Sequence, residues 1–240
     1  MSRLEQQPGR QPPGQGLLGR GRHRGWQASA LWLLAGAVLI WLVLVVVGHL
    51  LGHQWSHSAL VRWDTSVDRD LAADRREPWT EITHLATFLA ETLTVIAAGL
   101  VAFVLLRLGL KRWREPLFLA VALIGEVTIF VSTTLLVDRA RPPVKHLDSA
   151  PPTSSFPSGH TAASVALYGG LAVLAWRAGA AVWLRTLATA AAVLVPVLVA
   201  VSRLYRGMHY PTDVIAGALL ACCWLAITST VVLGRRRPAS

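Results

Sequence analysis

Residues 30–51 read ALWLLAGAVLIWLVLVVVGHLL, a run without a single Asp, Glu, Lys or Arg. Its apolar side chains fall all round a helix rather than along one stripe. A run of about 18 or more such residues is long enough to cross the hydrocarbon core of a bilayer as a helix. In lipid every backbone N–H and C=O must be satisfied inside the protein, which a helix achieves alone. Further apolar blocks follow at 84–106, 116–137, 160–179, 183–202 and 213–234. The expected fold is therefore all-α: a polytopic membrane helical bundle of about six transmembrane helices. Only a short turn around Ala180–Val182 separates the fourth and fifth blocks, and Arg177 and Arg185 argue for a break there at a membrane surface.

The composition agrees. Hydrophobic residues make up 53% of the 240 and charged residues 15%. The net charge of +10 would suit a nucleic-acid partner, but the Arg and Lys sit beside apolar blocks, where they orient the chain and meet anionic headgroups. No nucleic acid is expected. Residues 1–25, rich in Gly, Pro, Gln and Arg, cannot bury a core and read as a disordered basic tail. Residues 26–234 form one membrane domain, and 235–240 a short basic C-terminal tail. The first apolar block is too long for a signal peptide and has no small-residue cleavage site after it, so it reads as a retained anchor. Cys222 and Cys223 are adjacent within the last block and read as apolar filling.

Basic residues precede the first block (Arg20, Arg22, Arg24), lie between the second and third (Lys111, Arg112, Arg114), flank the fourth and fifth (Arg177, Arg185) and follow the sixth (Arg235–Arg237). With six crossings all four clusters share one side, which the positive-inside rule makes the cytoplasm. Both termini are then cytoplasmic in a multi-pass cell-membrane protein. Trp26, Trp32, Trp55, Trp79, Trp113 and Trp183 fall near the expected interfaces.

The polar residues costly to keep near lipid gather at the opposite side, in Val137–Pro143, Ser155–Thr161 and Ser202–Asp213. Ser158-Gly159-His160 opens a helix, where free N–H groups and the helix dipole favour an anion. Arg141 and Arg203 each offer a planar fork of donors matched to phosphate oxygens. Of His160 and His209, one can attack and the other protonate a leaving oxygen. Asp213, four residues after His209, is placed to accept an imidazole N–H and hold its tautomer.

These stretches resemble the signature motifs of the type 2 phosphatidic acid phosphatase family, which also includes the vanadium haloperoxidases. The family pattern is Lys-x6-Arg-Pro, then Pro-Ser-Gly-His, then Ser-Arg-x5-His-x3-Asp. Arg141-Pro142, Pro157-Ser158-Gly159-His160 and Ser202-Arg203-x5-His209-x3-Asp213 match in order. The resemblance implies His209 as the nucleophile, Asp213 as its orienting group and His160 as general acid. It implies that Arg141, Arg203, Ser158 and the Gly159 amide hold the phosphate oxygens, and that no metal or other cofactor is needed. The expected partners are the bilayer and a lipid phosphate or lipid diphosphate, of isoprenoid or phosphatidate type. The family lysine falls on Thr134, and Arg139 or Lys145 is the expected substitute for its charge.

Two other readings compete: an inactive relative that binds or scaffolds lipid, and a haloperoxidase-like or general acid phosphatase. Six apolar spans argue against the second. Glu91 and Glu126 fall inside expected spans and need a partner or a polar cavity. His49, His53 and His57 are spaced to share one helical face and read as an interfacial stripe.

Overall fold

The computed structural model describes residues 17–150 and 152–234, with side chains from Trp26 onward. All regular structure among them is helical: α1 Leu17–His49, continued by a π-helical turn Leu50–Gln54, α2 Ala59–Ala73, α3 Trp79–Phe88, α4 Thr92–Leu110 and α5 Arg114–Thr134. Then come α6 Gly159–Ser164, a π-helical turn Val165–Gly169, α7 Gly170–Arg177, α8 Val182–Tyr205 and α9 Pro211–Leu233.

Five of these helical runs are long and apolar enough to cross a membrane: Trp26–Gln54, Thr92–Leu110, Arg114–Thr134, Val182–Tyr205 and Pro211–Leu233. The block expected at 160–179 is helical too, but as α6, the π turn and α7 in unbroken succession. Such turns admit an extra residue into the helical register and recur at functional sites. Exposed apolar side chains, among them Leu39, Leu93, Leu105, Val193 and Leu219, form an outer coat suited to lipid rather than water. The protein is an integral membrane protein.

Helices α5 and α9 form the centre, with α1 and α4 packed outside them. The Trp224 indole lies on Gly125, where any side chain would collide with it, and its N–H reaches the Val121 and Ala122 carbonyls at 3.1 Å each. Small residues at such crossings let helices approach closely where apolar burial gives no drive between them. Helix α3 packs on α8 through Thr87, whose hydroxyl is 2.6 Å from that of Ser202.

Three expectations need correction. Helix α1 begins at Leu17, inside the stretch read as a disordered tail, because extending an existing helix is far cheaper than starting one. The tails 1–16 and 235–240 lie outside the described residues. The block at 84–106 is two helices, not one. Tight turns at Ala90 and Glu91 end α3, and the extended backbone of Glu91 (ψ 147°) starts α4. Glu91 is thus a half-buried helix-end residue and does not lie within a span. The segment 52–83, which the apolar blocks leave as a connection between the first two spans, contains α2. His49 and His53 meet edge to face with ring centres 5.7 Å apart, whereas His57 lies beyond the end of the π turn.

Candidate active site

Three separated stretches converge where α5, α6, α8 and α9 end. Helix α8 closes at Gly207, whose φ of +72° suits glycine, and the Gly207 and Met208 amides bond back to Leu204 and Arg203. A Cβ at Gly207 would also lie 2.7 Å from Val144 and 2.8 Å from Arg75. This turn delivers His209 to the head of α9. There Tyr210 and Asp213 form a reciprocal cap, with the Asp213 carboxylate accepting the Tyr210 amide N–H at 2.9 Å. The Ser158 amide donates to the Asp213 carbonyl at 2.9 Å, tying the start of α6 to the same turn. Gly159 packs against the Phe130 ring, and Gly217 lies under the Ser158 carbonyl so closely that a side chain would displace the backbone.

His209 is buried, and its Nδ1 lies 2.7 Å from the Ser155 carbonyl oxygen. A carbonyl only accepts, so the ring proton sits on Nδ1 and the Nε2 lone pair is free. Burial, then the cationic Arg203 and Arg141, push the His209 ring pKa well below the ordinary histidine value. Asp213 is 3.9 Å from Nδ1, beyond hydrogen-bonding distance. The partner that sets the tautomer is therefore the Ser155 carbonyl. The Asp213 side chain is held by the Tyr210 amide and by an ion pair to Arg139. Four residues of separation put Asp213 one helical turn on, where capping its own helix competes with reaching the ring.

His209 shares a cavity of about 420 Å³ with Arg141, Arg203, His160 and Gly159. Arg141 donates to the Met208 carbonyl at 2.8 Å, and Arg203 to Asp148 at 2.7 Å. The Nε of each arginine is covered and has no hydrogen-bond partner among the described residues. Two guanidinium groups and two imidazoles thus meet at one end of the cavity. The other end runs between α4 and α5 past Ile96, Ile124 and Val127, which are otherwise exposed on the lipid-facing surface. Ser158 is buried with its hydroxyl 3.0 Å from that of Thr161 and does not line this space.

Neither Thr134, at the lysine's position, nor Arg139 or Lys145, the expected substitutes for its charge, lines the cavity. The Thr134 hydroxyl bonds back to the Val131 carbonyl at 2.9 Å, and the Lys145 side chain is exposed. Arg139 points the other way, to Asp213 and to Asp64 at 2.7 Å, with its guanidinium 4.4 Å from the Tyr210 ring centre. A buried Arg with two carboxylates beside it has no fork to spare.

Sequence reasoning missed Asp64 and Asp148. Asp64, fully buried on α2, accepts from Arg139 and from the Thr212 amide at 3.1 Å. Its i, i+4 companion Asp68 is equally buried, with neither oxygen paired among the described residues; burial, then Asp213 and Asp64, push its carboxyl up to about 8. The spacing placed both on one helical face, but an acidic stretch ordinarily faces water. Asp148 bridges Arg203 and Arg206. Burial opposes its ionisation, yet the bonds to Arg206 and Arg203 hold its carboxyl below the usual carboxylate range. Arg206 also donates to the Thr80 and Leu147 carbonyls.

Comparison with known proteins agrees with the fold. A family model described as the PAP2 superfamily matches residues 115–237, just over half the chain. One solved structure, titled as the first transmembrane PAP2 type phosphatidylglycerolphosphate phosphatase from Bacillus subtilis, is similar with a TM-score of 0.69 and 20% identity. That match covers 85% of this chain and 98% of that one. Aquifex aeolicus LpxE is similar with a TM-score of 0.52 and 20% identity over 68% of this chain and 92% of its own. No curated protein matches the sequence. The family match covers every residue that meets in the cavity from α5, α6, α8 and α9, and the chain belongs to the PAP2 superfamily.

Proposed function

We propose that this chain is an integral-membrane lipid phosphatase that hydrolyses the phosphomonoester or diphosphate of a lipid through a phosphohistidine on His209. The observation that carries this reading is the bare Nε2 of a neutral His209 in a cavity shared with His160, Arg141 and Arg203 and continuing between lipid-facing helices. A lipid phosphate enters sideways with its tail still in the bilayer, and the two arginines hold its non-bridging oxygens. Nε2 attacks phosphorus in line, the bond to the leaving oxygen breaks, and His160 in its protonated form gives that oxygen its proton. Neutral His160 then takes a proton from water, whose oxygen displaces phosphate from His209 and restores the free ring. Positioning and electrostatics supply most of the acceleration, as in other phosphoryl transfers. Asp213 contributes by anchoring the turn that carries His209, through Tyr210 and Arg139.

The proposed topology has six crossings, α6 to α7 being the fourth, with the site on the extracytoplasmic side and both termini in the cytoplasm. The test of the reaction is phosphate release by purified protein in detergent from a panel of lipid phosphates and diphosphates, beside His209→Ala. The variant is expected to lose at least about 10³-fold in kcat. Equal release by both proteins would overturn the mechanism.

A further inference from the structure

Glu126 lies on α5 only 3% exposed, yet it lines the cavity. Its Oε1 is wholly covered and has no hydrogen-bond partner, and no cation among the described residues pairs with it. Its nearest cavity neighbours along α5 are Leu123, Val127 and Phe130. A carboxyl group so placed costs stability without return from the protein alone. Such orphaned groups in an apolar wall are the usual means by which a site recognises a polar feature of its ligand.

The depth of that feature follows from the helix. Phe130, one turn after Glu126, packs on Gly159 beside the phosphate end. One turn of α-helix is about 5.4 Å, so the carboxyl faces the substrate roughly that far below the phosphate-binding level. A lipid phosphate that enters headgroup first presents there the atoms about four bonds from phosphorus. In an isoprenoid phosphate these are hydrocarbon. In a phosphate ester with a hydroxyl or N–H on the carbon beta to the ester oxygen, they include a donor.

We infer that Glu126 is a specificity-determining residue that accepts a hydrogen bond from a hydroxyl or N–H on the beta carbon of the substrate's phosphoester, selecting donor-bearing lipid phosphates over isoprenoid ones. The inference rests on the phosphatase reading above. A carboxyl oxygen accepts from such a donor, and a substrate without one leaves Glu126 buried and unpaired in the complex.

The experiment compares a 1-acylglycerol 3-phosphate with its 2-deoxy analogue and with a polyprenyl phosphate, in the same detergent, for the native protein, Glu126→Gln and Glu126→Leu. The native protein is expected to prefer the hydroxyl-bearing lipid over its deoxy analogue by about tenfold or more in kcat/KM. Glu126→Leu should bring that ratio close to one, and Glu126→Gln, whose amide oxygen still accepts, should keep part of it. Because the ratio is taken within each protein, a partly unfolded preparation does not alter it. A native ratio near one overturns the inference even if Glu126→Leu fails to fold, and so does an unchanged ratio in a folded Glu126→Leu. If the native protein cleaves none of the lipids, it is the phosphatase reading that fails. Binding of the corresponding non-cleavable phosphonates then measures the same ratio and decides the role of Glu126 separately.

Discussion

At the residue scale the site turns on one proton. The Ser155 carbonyl, 2.7 Å from Nδ1 of His209, can only accept, so Nε2 is left bare. A ring whose pKa is lowered stays neutral as pH falls through the ordinary histidine range and gains its second proton only at lower pH. Here burial leads and Arg203 and Arg141 add to it. In ¹⁵N spectra of histidine-labelled protein, the ring signal lost in His209→Asn should therefore keep neutral shifts well below pH 6.5, an unperturbed histidine's pKa. Protonation near 6.5 would contradict the burial argument. The motif spacing made His209 and Asp213 readable as a pair. It did not reveal that the carboxylate would turn to Tyr210 and Arg139, because backbone N–H groups at a helix start compete for the same oxygens.

At the scale of elements, α2 is bolted to the start of α9 through Asp64, Arg139 and Thr212. Removing Asp64 takes one of two carboxylates from Arg139, which keeps Asp213, and leaves the part-buried Thr212 amide without its acceptor, at a cost of about 1–3 kcal/mol. Asp64→Ala should lower the thermal midpoint markedly, whereas Asp70→Ala, an exposed change on the same helix, should leave it nearly unchanged. Thermal denaturation in detergent compares the two, and equal midpoints would show that α2 does not brace the site. No apolar block marks α2 in the sequence, because its buried residues are the acidic Asp64 and Asp68. Helix α3 was merged with α4 for the opposite reason: apolar residues flank Glu91 on both sides, and hydropathy does not register a change of backbone direction.

At the scale of the whole molecule, the proposed side of the membrane rests on charge and on how the helix ends meet. Arg177, at the end of α7, donates to the Gly234 carbonyl just past α9 at 2.7 Å, so those two helix ends lie together. The site residues gather at the other ends of the same helices. The exposed Lys145 belongs to that side, since its carbonyl accepts from Arg75 at 2.6 Å beside the His209 turn. With Cys222 and Cys223 replaced by Ala, Lys145→Cys is expected to react in intact cells with a membrane-impermeant maleimide. Labelling only after lysis would reverse the proposed orientation.

The sequence by itself determined the class of fold and the superfamily. Apolar length is a local property, and residues at fixed spacing on a helix or turn can be read without knowing their neighbours. Pairings between distant segments were decided only by tertiary structure: Arg139 with Asp64, Arg203 with Asp148, and the His209 ring with the Ser155 carbonyl. The same holds for Glu126 in the cavity wall, whose Oε1 took no partner among the described residues. The physical reason is that a charged side chain in a crowded, water-poor site goes to whichever partner packing brings within about 3 Å, and linear spacing does not encode that distance.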